Sequence, residues 1–178
     1  MYKIIIGVII AAAVMIIGFM IIDPKVNKNT TQTTTTETVT NGQTYTVEGE
    51  VNKPGTYVLA EGIKMSDLIT AGGGLTNNAD TLAFFEEADL KAGSTYYIAS
   101  KFDSTDICNN KEISKVNINT DTADVLTNVN GITSTIASSI VSYRTSNGAF
   151  KTIEQLMEVY GIGNATYRKV RNYVTLHA

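Results

Sequence analysis

Near the end of the chain, Val159-Tyr160-Gly161-Ile162-Gly163 sets two glycines on either side of an apolar residue, and an apolar-periodic stretch follows at once. Glycines there let the backbone take positive φ and leave its amides unshielded. A helix that starts next has first-turn N–H groups with no partner inside the helix, and its macrodipole is positive at that end. Such a place suits an anion, and a phosphate is the natural occupant. Arg168, Lys169 and Arg171 follow on the same helix, while Tyr167, Val170 and Val174 fall at spacings of three and four and are expected to face the core. The chemistry expected of this segment is therefore phosphate binding, with both glycines at positive φ and the cations on the side that the core does not use.

The elements that must position these residues occur twice. Leu126, Val129, Gly131 and Ile132 recur as Leu156, Val159, Gly161 and Ile162, always 30 positions later, so that residues 124–144 are echoed at 154–174. Internal self-similarity of this kind marks a duplicated structural unit. Each copy holds an apolar-periodic stretch, a tight Gly-containing turn, a residue of helix-capping type (Ser134 or Asn164) and a second apolar-periodic stretch. The expectation is a helix, a hairpin and a helix, twice over. A Gly after an apolar stretch is also a common helix C-terminus, so each hairpin has a second reading as a plain connection.

This arrangement resembles the helix-hairpin-helix motif, of which two tandem copies form a compact five-helix DNA-binding unit. The lead-in Val116-Asn117-Ile118-Asn119-Thr120, with Tyr143-Arg144 and Asn147-Gly148-Ala149-Phe150, is similar to the C-terminal domain of the competence DNA receptor ComEA family over residues 115–175. The resemblance implies double-stranded DNA bound without sequence preference, through hairpin amides and nearby cations, with no catalysis. Carried over residue by residue, it assigns DNA binding to Gly131, Ile132, Thr133, Ser134, Arg144, Lys151, Gly161, Ile162, Gly163, Asn164, Arg168, Lys169 and Arg171. There are departures. Where the family prefers Pro-Gly-Ile-Gly in the first hairpin, this chain has Asn130-Gly131-Ile132-Thr133. Because Thr resists positive φ, either Thr133 keeps an ordinary negative φ with its hydroxyl adding a phosphate contact, or the first hairpin is impaired as a clamp. In the second hairpin Asn164 and Ala165 stand where the family often has Pro and Lys, which removes one cation.

Ile4 to Ile22 is an uninterrupted apolar run, and as a helix it spans about 30 Å, enough to cross a bilayer core. No small-residue cleavage site separates it from Asp23-Pro24, so residues 1–22 are expected to be a retained anchor. Lys3 before the run and Lys25 and Lys28 after it leave the positive-inside rule with little preference. The Thr-dominated tract from Thr30 to Thr40 reads as an exposed spacer, residues 23–42 as a linker, and the C-terminal bulk as extracellular.

Between linker and repeats, residues 43–112 have a different pattern. Tyr45, Val47 and Gly49, then Lys53-Pro54-Gly55-Thr56-Tyr57, predict a hairpin. A short helix is expected from Lys64 or Ser66 through Leu68 and Ile69, stopped by Gly72-Gly73-Gly74, and a strand at Thr95 to Ala99. This order suggests a small α+β fold. Val47-Glu48-Gly49-Glu50-Val51, the Lys53 to Tyr57 turn and Asp67-Leu68-Ile69-Thr70-Ala71-Gly72-Gly73 resemble the SLBB domain, a β-grasp variant; its late Asn-Leu-Ala element is only faintly present, as Thr81-Leu82-Ala83 or Ala88-Asp89-Leu90. The resemblance to the DNA receptor family implies self-association through this region between anchor and DNA-binding domain, with a membrane DNA channel and pilus components as further partners.

Charge divides between the two regions. Residues 41–112 carry five lysines against eleven acids, a net of −6, whereas residues 113–178 carry six cations against four acids, a net of +2. DNA is expected to touch the repeats and avoid the middle domain. Ala71-Gly72-Gly73-Gly74-Leu75 lacks the Gly-Lys-Ser/Thr ending of a nucleotide-binding loop. Cys108 is the only cysteine, which excludes an intramolecular disulfide and a thiolate metal cluster. His177 is the only histidine, so a His-dependent triad or a zinc site has no partners. No cofactor and no enzyme activity are expected. The chain reads as an α+β multidomain protein: an N-terminal transmembrane helix, an SLBB-like β-grasp domain over 43–112 and an all-α tandem helix-hairpin-helix domain over 113–178. The function expected is that of a membrane-anchored extracellular receptor taking double-stranded DNA for uptake in natural transformation. The alternative is a surface adhesion or scaffold protein that binds saccharide or protein through the middle domain while the repeats only pack. A DNA-repair helix-hairpin-helix protein would leave the membrane helix and spacer unexplained.

Overall fold

Alternation along Gln43–Gly49 (β1) buries Tyr45 and Val47 completely while Thr44 and Glu48 stay in water, the period-two pattern of a half-buried strand. The computed structural model describes residues 42–103 and 111–178; the expected anchor over 1–22, nearly all of the linker and Cys108 lie outside the described residues. Among the described residues no helix is long and apolar enough to cross a membrane.

β1 pairs antiparallel with Gly55–Leu59 (β2), in the register Tyr45↔Tyr57, so the hairpin expected around Pro54-Gly55 forms. Met65–Ala71 (α1) follows. Its start is held by Asp67, whose carboxylate accepts the Lys64 N–H at 2.9 Å, and the helix stops at Gly72 as the glycine run requires. The chain then passes a 3-10 turn at Thr81–Ala83 and enters Thr95–Ile98 (β3), which lies parallel to β1 on its other side, giving the order β2-β1-β3. Met65, Leu68 and Ile69 of α1 join Tyr45, Val47, Tyr96 and Ile98 in one core.

The repeats build a second core from Val116, Ile118, Leu126, Val129, Ile132, Ile140, Phe150, Leu156, Val159, Ile162, Tyr167, Val170 and Val174. Its helices are Ala123–Leu126 (α2), Ser134–Asn147 (α3) and Asn164–Val170 (α4), with a 3-10 helix at Ile153–Glu158 where the second copy of α2 was expected. The region is helical but not wholly so. Val116–Asn117 (β4) and Val174–Thr175 (β5) pair in parallel and tie its two ends together. Asn119 strengthens that closure, its amide nitrogen donating to the carbonyls of Phe150 and Leu176, each at 2.9 Å.

Tyr97, which the strand period turns away from the first core, packs against the second. Its N–H donates to Glu154 at 2.8 Å and its hydroxyl to Asn172 at 3.0 Å, and the Arg171 guanidinium lies 3.5 Å from its ring centre. Leu176 donates its N–H to the Leu82 carbonyl, His177 stacks on Phe85, and Lys115 forms a buried ion pair with Asp80. The residues that the sequence divides at 112 and 113 thus form one compact unit with two cores.

Candidate nucleic-acid interface

Each hairpin turns on one glycine. Gly131 has φ +116° and Gly161 has φ +91°, where an L side chain is strained. The two hairpins also pack across the repeat: a Cβ on Gly131 would stand 3.1 Å from Val170 Cγ1 and 3.2 Å from Lys169 Cδ, and one on Gly161 would stand 3.2 Å from Ile136 Cγ1. Each turn therefore lies against the helix that follows the other turn.

Gly163 departs from expectation. Its φ is −95° with ψ 178°, extended backbone that any residue adopts, and a Cβ there would meet nothing within 4 Å. The position is the N-cap of α4, where extended geometry is the rule. Its counterpart Thr133 has φ −81° and caps α3, its hydroxyl accepting the Ile136 N–H at 3.3 Å. The caps are therefore Thr133 and Gly163, and Ser134 and Asn164 are the first helical residues instead. The first hairpin uses a side chain to satisfy one first-turn amide. The second has no side-chain cap, so the amides of Asn164, Ala165 and Thr166 are left for solvent or ligand.

Of the residues assigned to DNA, Thr133, Ser134, Lys151, Gly161, Gly163, Asn164, Arg168 and Lys169 are exposed on this side of the fold or beside it, and Gly131 is half-buried under Lys169. Ile132 and Ile162 are buried, and their N–H groups donate within the turns to Val129 and Val159. They pin the hairpins to the core. Arg144 donates to the carbonyls of Ile118 and Asp121, both at 2.7 Å, so its guanidinium fastens the lead-in segment to α3. Arg171 is occupied by the Tyr97 ring and by Glu48 at 3.4 Å. Lys115 is committed to Asp80. Its burial pulls it below the usual lysine range, against the opposing pull of the Asp80 carboxylate. Three of the six C-terminal cations thus have structural work, and Lys151, Arg168 and Lys169 enter no ion pair among the described residues.

Glu154 sits between Tyr97 and Tyr167. Burial raises its carboxyl above the carboxylate range, although the N–H of Tyr97 and the hydroxyl of Tyr167 both donate to Oε1 and oppose the shift. Oε2 is buried with no partner among the described residues. Tyr143 donates to Glu158 at 2.6 Å and is itself pushed up to about 12 by that bond, while Glu158 is held below its usual range. Both carboxylates serve contacts inside the fold.

Sequence reasoning passed over Tyr160, whose side chain is 83% exposed beside Gly161. The 30-residue offset was signal enough to place it opposite Asn130 in the first hairpin, but not to show which helix it faces.

The SLBB domain family matches residues 44–98 and the helix-hairpin-helix motif family matches residues 111–175. ComE operon protein 1 of Bacillus subtilis (strain 168) is 30% identical over 139 residues, which cover 73% of this chain and 68% of that protein. An uncharacterized protein of Haemophilus influenzae (strain ATCC 51907 / DSM 11121 / KW20 / Rd) is 46% identical over 61 residues, 34% of this chain and 54% of its own. The endonuclease/exonuclease/phosphatase family domain-containing protein 1 of Bos taurus is 42% identical over 60 residues, 34% of this chain and only 10% of its own.

Proposed function

Because this chain belongs to the ComE operon protein 1 (ComEA) family, we propose that it is a membrane-anchored receptor that holds double-stranded DNA outside the cell, without sequence preference, for uptake in natural transformation. The observation that carries the reading is the pair of hairpins at Gly131 and Gly161, each opening an exposed helix N-terminus, with Lys151, Arg168 and Lys169 around them in no ion pair among the described residues. Amides and cations in this arrangement bind phosphates, which carry no base information. Residues 1–22 supply the anchor, residues 23–42 the spacer, and residues 43–112 the self-association that gathers many weak sites on one membrane.

The open backbone at Gly163 offers the cleanest test. Gly163→Asp in the full chain, held in nonionic detergent, adds a good N-cap and a negative charge at the proposed phosphate position. Its melting temperature should stay level or rise, while affinity for duplex falls by at least about tenfold, about 1.4 kcal/mol. Duplexes of unrelated sequence should bind the parent alike. A well-folded Gly163→Asp variant that binds as the parent does, or a strong preference for one sequence, overturns the reading.

A further inference from the structure

The two hairpins share a geometry and differ in chemistry. Asn130 and Tyr160 hold equivalent places, each after a buried valine and before the positive-φ glycine. Asn130 lines a cleft with Lys169, Asn172 and Tyr173, and Tyr160 lines one with Ser139, Ser142 and Tyr143, which are the same three positions one repeat earlier. The first hairpin thus receives its cation from the other repeat, because the stem of Lys169 lies along Gly131. At the second hairpin the matching residue is Ser139, whose hydroxyl donates to the Thr135 carbonyl at 3.0 Å. Ser146 and Asn147 complete that cleft, and none of its lining residues carries a charge. The nearest acid bound to it, Glu158, is engaged by Tyr143 and Lys91.

What marks the second cleft is the exposure of its hairpin ring. Tyr160 is 83% exposed, more than any other large apolar side chain among the described residues, although its neighbour Val159 is packed into the core. Among the described residues no hydrogen bond or ring contact holds that side chain. We propose that Tyr160 is the second hairpin's own DNA contact, its ring lying on a deoxyribose of the bound strand beside the Gly161 turn. This rests on the DNA-binding reading above. A neutral, hydroxyl-lined cleft whose other tyrosine, Tyr143, is held by Glu158 and Phe150 leaves the Tyr160 ring to meet a sugar edge: the ring covers the apolar face of the sugar, and its hydroxyl donates to a neighbouring phosphate. The first hairpin then grips by charge through Lys169, and the second by ring contact.

The two grips separate by salt dependence, since only cation contacts release counterions. In the full chain in detergent, Tyr160→Ala should lower duplex affinity by about fivefold, the lower end of what an aromatic contact to nucleic acid supplies, at an unchanged salt slope. Tyr160→Phe should keep most of the affinity, and Tyr160→Lys should steepen the slope by about 0.9, the value of one added phosphate contact. The chain has no tryptophan, so Tyr160→Trp places the only indole at the hairpin, and its emission should change with the same midpoint as binding. If Tyr160→Ala binds as the parent does while Gly163→Asp loses binding, the ring contact is wrong and the receptor reading stands. If neither variant loses affinity, both are wrong.

Discussion

Replacing Arg171 by alanine should weaken the fold and leave the ionic part of DNA binding unchanged, whereas replacing Arg168 should do the reverse. The arginines stand three residues apart on or beside α4, and charge alone does not tell them apart. The Arg171 guanidinium lies 3.5 Å from the Tyr97 ring centre and 3.4 Å from Glu48, with 22% of its side chain exposed. A partly desolvated cation–π contact contributes about 1 to 2 kcal/mol, and the ion pair, whose Glu48 side is half-exposed, adds a few tenths at most. Arg171→Ala should therefore cost about 1.5 to 2 kcal/mol, a fall of about 5 °C in melting temperature for a unit of this size. Of the six C-terminal cations, only Lys151, Arg168 and Lys169 are left to meet phosphates. At about 0.9 per contact, log affinity against log salt should have a slope near −2.7, shallower than the roughly −3.6 to −5.4 that four to six engaged phosphates would give. Arg168→Ala should bring it to about −1.8 with no change in melting temperature, and Arg171→Ala should leave it near −2.7. Fluorescence anisotropy of a labelled duplex at four salt concentrations, beside a thermal melt, reads both quantities. A parental slope near −5, or an Arg171→Ala variant that melts like the parent and flattens the slope, would refute the division of labour among these cations.

Gly131→Ala and Gly161→Ala should each destabilise by about 1 to 2 kcal/mol in urea titrations, because both demand positive φ and a tight Cβ contact, whereas Gly163→Ala should be neutral within about 0.5 kcal/mol. Equal costs at all three glycines would contradict the turn geometry. Glu154, with its pKa raised by burial, binds its proton more tightly folded than unfolded, so it should add stability as the pH falls through its folded pKa toward the unfolded value near 4.5, and remove that stability as the pH rises. Melting curves of the parent and Glu154→Gln across that range should differ in slope, and identical pH profiles would show that the carboxylate is not desolvated. Protein from native membranes should be full length and released only by detergent; a soluble form beginning near Asp23 would show that residues 1–22 are cleaved.

The repeat, the hairpin positions, the core-facing residues and the order of elements in the middle region were all legible in the chain, because each rests on local spacing. Gly131 and Gly161 take positive φ as their sequence context requires, and Tyr167, Val170 and Val174 are buried as their spacing predicts. Even the SLBB-like strands fall where the alternation of Tyr45 and Val47 and the Pro54-Gly55 turn put them. Tertiary structure decided which residues remain available for a ligand. Arg144, Arg171 and Lys115 look in the sequence like Arg168 and Lys169, yet their partners are Ile118, Asp121, Tyr97, Glu48 and Asp80, up to 123 positions away. No local pattern encodes a partner at that separation. The same holds for Lys169, which follows the second hairpin in the chain and lies against the first in space, and for Gly163, whose conformation is set by the helix it caps and not by its being glycine. Periodicity records which face of an element is buried, whereas the charge left over for DNA depends on which elements meet, and only the packing of the two cores settles that.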